Sequence, residues 1–178
     1  MSTGAFGRDG NRVPVTQNGM VVSKADSFTA NGAATAMPLF TVTGTVEVLS
    51  LWGVVTTAIG SNHTAAYWRI NDQTIATQVI SAASGTTVSS LPIGTVLSRR
   101  SLISVALTAS TSATGLVTDP VAATVPNYFM PLLITAKSGT TDLTNIEYVY
   151  STNNTSLGAM TFYVGYVPLT TDGSITAI

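Results

Sequence analysis

Phe40 to Val48 reads FTVTGTVEV, and this stretch decides the fold class. Phe40, Val42, Val46 and Val48 alternate with Thr41, Thr43, Thr45 and Glu47. Successive side chains of a strand point to opposite faces, so a period of two predicts one apolar and one polar face. Gly44 interrupts the apolar face and is expected to mark a bulge or a close backbone approach. The run continues as LSLWGVVTTAI from Leu49 to Ile59, again rich in residues that favour strands.

Outward from there the same pattern recurs about every ten residues. Thr64 to Ile70 (TAAYWRI) predicts a strand with Ala66, Trp68 and Ile70 on one face. Asn71-Asp72 is a turn signal, and Thr74 to Ile80 (TIATQVI) completes a predicted hairpin. Leu91 to Leu97, Leu102 to Leu107, Phe129 to Ala136, Ile146 to Tyr150 and Leu157 to Pro168 predict further strands. Gly, Asn, Asp or Pro separates them, and no amphipathic helix of ten residues stands out. Such spacing predicts an all-β, jelly-roll-like antiparallel β-sandwich over residues 36–178. Residues 1–35 carry five glycines and sparse apolar clusters, and read as an extended N-terminal arm and linker. Two short extended pieces fit this stretch, as does an arm lying on a neighbour.

Composition narrows the function. Charged residues make up 8% of the 178-residue chain, against roughly 25% in ordinary globular domains. The surface must therefore be built of Thr, Ser, Asn, Gly and Ala, which suits contact with other protein more than colloidal repulsion. A net charge of −1 gives no electrostatic basis for binding nucleic acid or an anionic membrane. Mean hydropathy is positive, +0.38, but the apolar runs fall far short of the ~20 residues a spanning helix needs. The opening MSTGAFGRDGNR lacks a basic region followed by an apolar stretch, so no signal peptide is expected. With no cysteine, neither disulfides nor thiolate metal sites are available.

Catalytic constellations are not legible. His63, the one histidine, sits in GSNHT and reads as an exposed loop residue with no carboxylate beside it. No G-x-S-x-G elbow occurs. Glu47 and Glu147 form the one plausible carboxylate pair, and both read as outward side chains on strands. Asp142 and Asn145 are too few for a calcium loop. Gly4 to Gly10 lacks the Lys-Ser/Thr and the helix of a phosphate-binding loop. Arg99-Arg100 reads as a solvated turn at a strand end. The sequons at Asn62 and Asn153 matter only on a secretory route. No cofactor or metal is expected. Tyr148, Tyr150, Phe162, Tyr163 and Tyr166 cluster late in the chain and read as core or subunit interface, with a sugar platform on Tyr148 and Tyr150 as the alternative.

Four segments carry a resemblance. Gly7-Arg8-Asp9-Gly10-Asn11-Arg12-Val13-Pro14-Val15 resembles the N-terminal arm of phage virion proteins. Phe40 to Thr57 is similar to the TG-x-V-x-V-x-x-L-x-G-x-V-T-T opening of phage minor structural proteins. Gly94 to Ser98 and Tyr163 to Leu169 are similar to their GT-L-L and Y-x-P-L segments. The chain thus resembles capsid cement or decoration proteins of tailed bacteriophages. The resemblance implies a non-enzymatic protein on the capsid exterior, a homotrimer bound to the major capsid protein. It makes Arg8, Asp9, Asn11, Arg12, Val13, Pro14 and Val15 the candidate capsid contacts. A tail, neck or head-fibre component and a glycan-binding adhesion module are the alternative readings.

Overall fold

The computed structural model describes residues 19–29, 34–61, 63–72, 75–83, 88–99, 108–110, 131–136, 143–152 and 158–178. These form an all-β structure of two antiparallel sheets facing one core. One sheet holds β1 (Met20–Ser27), β3 (Thr45–Thr57), β6 (Val96–Ser98), β7 (Thr108–Ser110), β8 (Leu132–Thr135) and β10 (Ala159–Pro168). Its order is β1-β10-β3-β6-β7, with β8 also paired to β3. The other sheet holds β2 (Thr35–Thr43), β4 (His63–Asp72), β5 (Ile75–Val79), β9 (Thr144–Thr152) and β11 (Ser174–Ala177), ordered β11-β2-β9-β4-β5. β1 pairs β10, β2 pairs β9 and β3 pairs β8, so the chain doubles back on itself in nested pairs.

The deciding stretch is not one strand. It crosses from the second sheet to the first at Gly44, between β2 and β3. Phe40, Val42, Val46 and Val48 are all buried, because the inner faces of both sheets look onto the same core. The period-two reading therefore survives a change of sheet. Gly44 is the corner rather than a bulge. Its φ is +57°, and a Cβ there would lie 2.6 Å from Asp172 Oδ1 and Thr170 Oγ1. Only a residue without a side chain turns the chain so tightly.

Two of the ladder irregularities set which side chains of β2 and β3 face inward. Between Pro38 and Phe40 the β2–β9 ladder shifts, so that Leu39 and Phe40 are both buried. Between Gly165 and Tyr166 the β10–β3 ladder shifts opposite Leu49. The shift moves inward-facing positions of β3 from Val46 and Val48 to Leu51 and Val55. A bulge is the means by which a strand changes phase without leaving its sheet.

Some boundaries differ from the sequence reading. Met20–Ser27 falls within the stretch read as arm and linker, yet it pairs with β10 along its full length. Phe28, read as linker, is 2% exposed in the core. Pairing and burial thus draw the sandwich's beginning back to Met20. In the predicted strand Leu91–Leu97 only the end is strand, because Gly94 adopts φ +83° and Thr95 donates its hydroxyl to Pro92 O at 2.7 Å. The short strand β11 was not legible in SITA. The hairpin of β4 and β5 matches expectation. Residues 102–107 and the candidate contacts Arg8, Asp9, Asn11, Arg12, Val13, Pro14 and Val15 lie outside the described residues.

Candidate interaction face

The predicted chemical residues are dispersed. His63 is not an exposed loop residue. It opens β4 and is 1% exposed, enclosed by aromatic rings. Its ring stacks on Tyr150 at 5.1 Å and 2°, and lies 4.5 Å from Phe28. Nε2 meets the Tyr148 hydroxyl at 3.3 Å, whereas Nδ1 is buried without a hydrogen-bond partner. Burial pushes the imidazole pKa down to about 4, so it is neutral at pH 7. Burial, reinforced by Tyr150, holds the Tyr148 hydroxyl well above the usual phenol range. The Tyr150 hydroxyl oxygen accepts from Thr29 N–H at 3.1 Å and thereby ties the end of β1 to β9. This cluster, completed by Trp68 and Phe162, is the centre of the core.

Tyr148 and Tyr150 are thus closed to a sugar at the place the alternative reading gave them. Glu47 and Glu147 do not meet either. Glu47 lies between the buried Val46 and Val48, so it faces out from the first sheet. Glu147 lies between the buried Ile146 and Tyr148, so it faces out from the second. The two carboxylates are on opposite sides of the sandwich. Glu147 is nevertheless only 3% exposed, held by Arg69 Nε at 2.6 Å and Asn71 Nδ2 at 3.0 Å.

Arg99 also departs from expectation. It is buried, not solvated, and donates Nε to Ile80 O at 2.5 Å. Burial lowers its pKa from the usual guanidinium value. Because Ile80 follows β5 and Arg99 follows β6, this bond links the two sheets. Arg100, Asp142 and the sequon residues Asn62 and Asn153 lie outside the described residues. Among the described residues, no three His, Asp or Glu side chains stand close enough to hold a metal. Among the described residues lining a cleft of about 190 Å³, which include Ile70, Asp72, Gln78 and Ile134, Asp72 is the one titratable group. No helix of the described residues is long and apolar enough to cross a membrane.

One surface stands out instead: the outer face of the first sheet. Trp52 on β3 and Tyr163 on β10 are directly opposite in register. Their rings stack at 4.0 Å and 11°, and both residues are half-buried. Such a pair is rigid and contributes about 0.5–1.5 kcal/mol beyond its buried area. Around it lie Val21, Ser23 and Ala25 on β1, Val54 on β3, Thr161 on β10 and Ser98 on β6. Leu133 on β8 is 69% exposed and sits opposite Glu47, the one charged side chain of this face among the described residues. Lys24 and Asp26, on the same edge strand, point the other way. Lys24 Nζ donates to Pro38 O at 2.9 Å and pairs with Asp26 at 3.2 Å. Aromatic residues at the centre, little charge and a polar fringe are the marks of a protein-contact surface. The sequence placed Trp52 and Tyr163 on strands, but nothing in it showed that they meet.

No family model, no curated protein and no solved structure matches this chain.

Proposed function

We propose that this chain is a structural protein of a tailed-bacteriophage virion, a cement or decoration protein that binds the outer surface of the major capsid protein shell and stabilises it. The observation that carries this reading is the nearly uncharged outer face built around Trp52 and Tyr163. A protein present in many copies on a shell needs contacts that fill by packing rather than by long-range attraction. The nested pairing of β1 with β10, β2 with β9 and β3 with β8 supports a jelly-roll topology, which suits this role. The inward-turned Lys24 and Asp26 protect the long edge strand β1 from open-ended pairing while the neutral face stays free. In this reading the protein is a homotrimer without enzymatic activity, and the segment from Arg8 to Val15 reaches the capsid. Several weak contacts on one trimer then add through effective concentration.

Gold-labelled antibody against the recombinant protein tests the location. On particles assembled from the encoding genome, label is expected over the head. Label on the tail or neck supports the alternative virion location and overturns the cement assignment; unlabelled particles overturn both. The double substitution Trp52→Ala/Tyr163→Ala tests the face. It is expected to reduce occupancy on shells by about tenfold or more, a loss of at least ~1.4 kcal/mol. Full occupancy by a folded double variant would remove this face from the contact.

A further inference from the structure

At one end of the sandwich the edge strand β1 closes a buried cluster. Among the described residues β1 pairs with β10 alone, so a single ladder holds it. Its side chains are exposed or half-buried from Met20 to Ser27, and the anchor comes next: Phe28, buried in the core. The Phe28 ring lies 4.5 Å from His63 and 4.9 Å from Tyr150. Phe28 N–H donates to Gly158 O at 3.1 Å, and Thr29 N–H donates to the Tyr150 hydroxyl at 3.1 Å. β9, which carries Tyr148 and Tyr150, is pinned by ladders to both β2 and β4. β1 is therefore the wall of the cluster that opens most easily, since local opening follows the least-tied element.

His63 is the group this wall keeps dry. Its Nδ1 is buried without a partner, and its Nε2 meets the Tyr148 hydroxyl. Against its ring stand Phe28 from the end of β1 and Tyr148 and Tyr150 from β9, while Ser89 Oγ donates to its backbone carbonyl at 3.0 Å. The two phenols are the titratable groups of this set, and it holds no carboxylate and no cation. The charges of β1, Lys24 and Asp26, pair with each other at 3.2 Å. An imidazolium here would carry an N–H on Nδ1 with no acceptor, and burial accordingly holds the pKa at about 4. Strain gathers at the same end. Ala65, where the β4–β9 ladder shifts, has φ +52°, and Ser90, next to Ser89, has φ +55°. Both are non-glycine residues in the left-handed region, and such strain clusters where a fold switches.

We infer that β1 is an acid-released strap: uptake of a proton by His63 frees Phe28 and draws the strand off β10. Withdrawing Phe28 lets water reach the imidazole and solvate the cation. Between pH 6.5 and pH 4 the opened form binds more protons than the closed one, so acid favours opening. Release uncovers the backbone donors and acceptors that β10 gives to β1 between Ala159 and Tyr166. A bare strand edge of this length is a template on which a strand of another copy can pair. The inference uses neither the outer face of the first sheet nor the virion reading.

Native-state hydrogen exchange of the full chain at pH 7 and pH 5, in low urea, tests the strap. The ladder amides of β1 are expected to open without the rest of the domain, and so to be less protected than those of the β2–β9 ladder at both pH values. Their opening constant is expected to rise about twentyfold from pH 7 to pH 5, the factor for a group that titrates at about 4 when closed and at 6.5 when open. His63→Phe keeps a ring against Phe28 but takes up no proton, so β1 should still open locally while the rise disappears. Equal protection of β1 and the β2–β9 ladder overturns the inference, because β1 then leaves only with global unfolding. Local opening of β1 without the rise overturns it too, as does an equal rise in folded His63→Phe. If that variant does not fold, the wild-type comparison decides alone.

Discussion

Acidification should loosen this protein through one residue, His63. Its imidazole is buried between Phe28 and Tyr150, with Nε2 on the Tyr148 hydroxyl and Nδ1 unpartnered. Either neutral tautomer leaves Nδ1 without a partner. The cation is worse, because it carries an N–H on each nitrogen and no acceptor faces Nδ1. Among the described residues, the rings against it, Phe28, Tyr148 and Tyr150, are uncharged. Burial holds the folded-state pKa at about 4, below the unfolded value of 6.5. Between those two values the unfolded chain binds more protons, so stability falls as pH falls. It is fully present above pH 6.5 and is lost progressively down to pH 4, below which this residue adds no further loss. A shift of about 2.5 units corresponds to ~3 kcal/mol, with ~2 kcal/mol already gone at pH 5. Urea unfolding at pH 7, 6, 5 and 4 measures this. His63→Phe keeps a ring against Phe28 and Tyr150 but cannot titrate. It should start lower, because the Tyr148 hydroxyl loses its partner at ~1–3 kcal/mol. Across the same pH range it should lose ~3 kcal/mol less than wild type. Parallel pH profiles for the two proteins would refute the reasoning. They would mean that attraction between the imidazolium and the stacked rings offsets the cost of burying it.

Three further outcomes are expected. Phe28→Ala should lower unfolding free energy by about 3–5 kcal/mol in urea titration, since this ring contacts His63, Tyr150 and Phe162 in the core. Gly44→Ala should cost at least about 2 kcal/mol, because a Cβ at φ +57° would strike Asp172 and Thr170; the thermal midpoint will report it. Lys24→Val removes the inward cation of the edge strand and its bond to Pro38 O, and should produce concentration-dependent growth beyond the wild-type oligomer in light scattering.

The alternation in FTVTGTVEV and TAAYWRI was enough to predict an all-β structure and to name much of its core. Period two reports a local property, the side of the strand that meets apolar neighbours, and Ala66, Trp68, Val46 and Val48 are buried as it requires. The low charge likewise foretold a nearly neutral surface, since composition limits what any surface can display. Local pattern does not say which strand lies next to which. Gly44 looks the same in sequence whether it bulges a strand or turns a corner between sheets, and only the packing of Asp172 and Thr170 against it decides. His63 looked like a loop residue because its five neighbours are polar or small; Phe28, Tyr148 and Tyr150, brought in by long-range pairing, buried it. Arg69 and Glu147 are 78 residues apart, and register alone makes them a pair. Trp52 meets Tyr163 through the same kind of register, between β3 and β10. The sequence by itself determined the strand character of the chain, much of the inward set and the neutrality of the surface, all set by each strand's own side chains. Tertiary structure alone decided which faces carry the aromatic stack and the Arg69–Glu147 pair, because strand order and register place distant residues side by side.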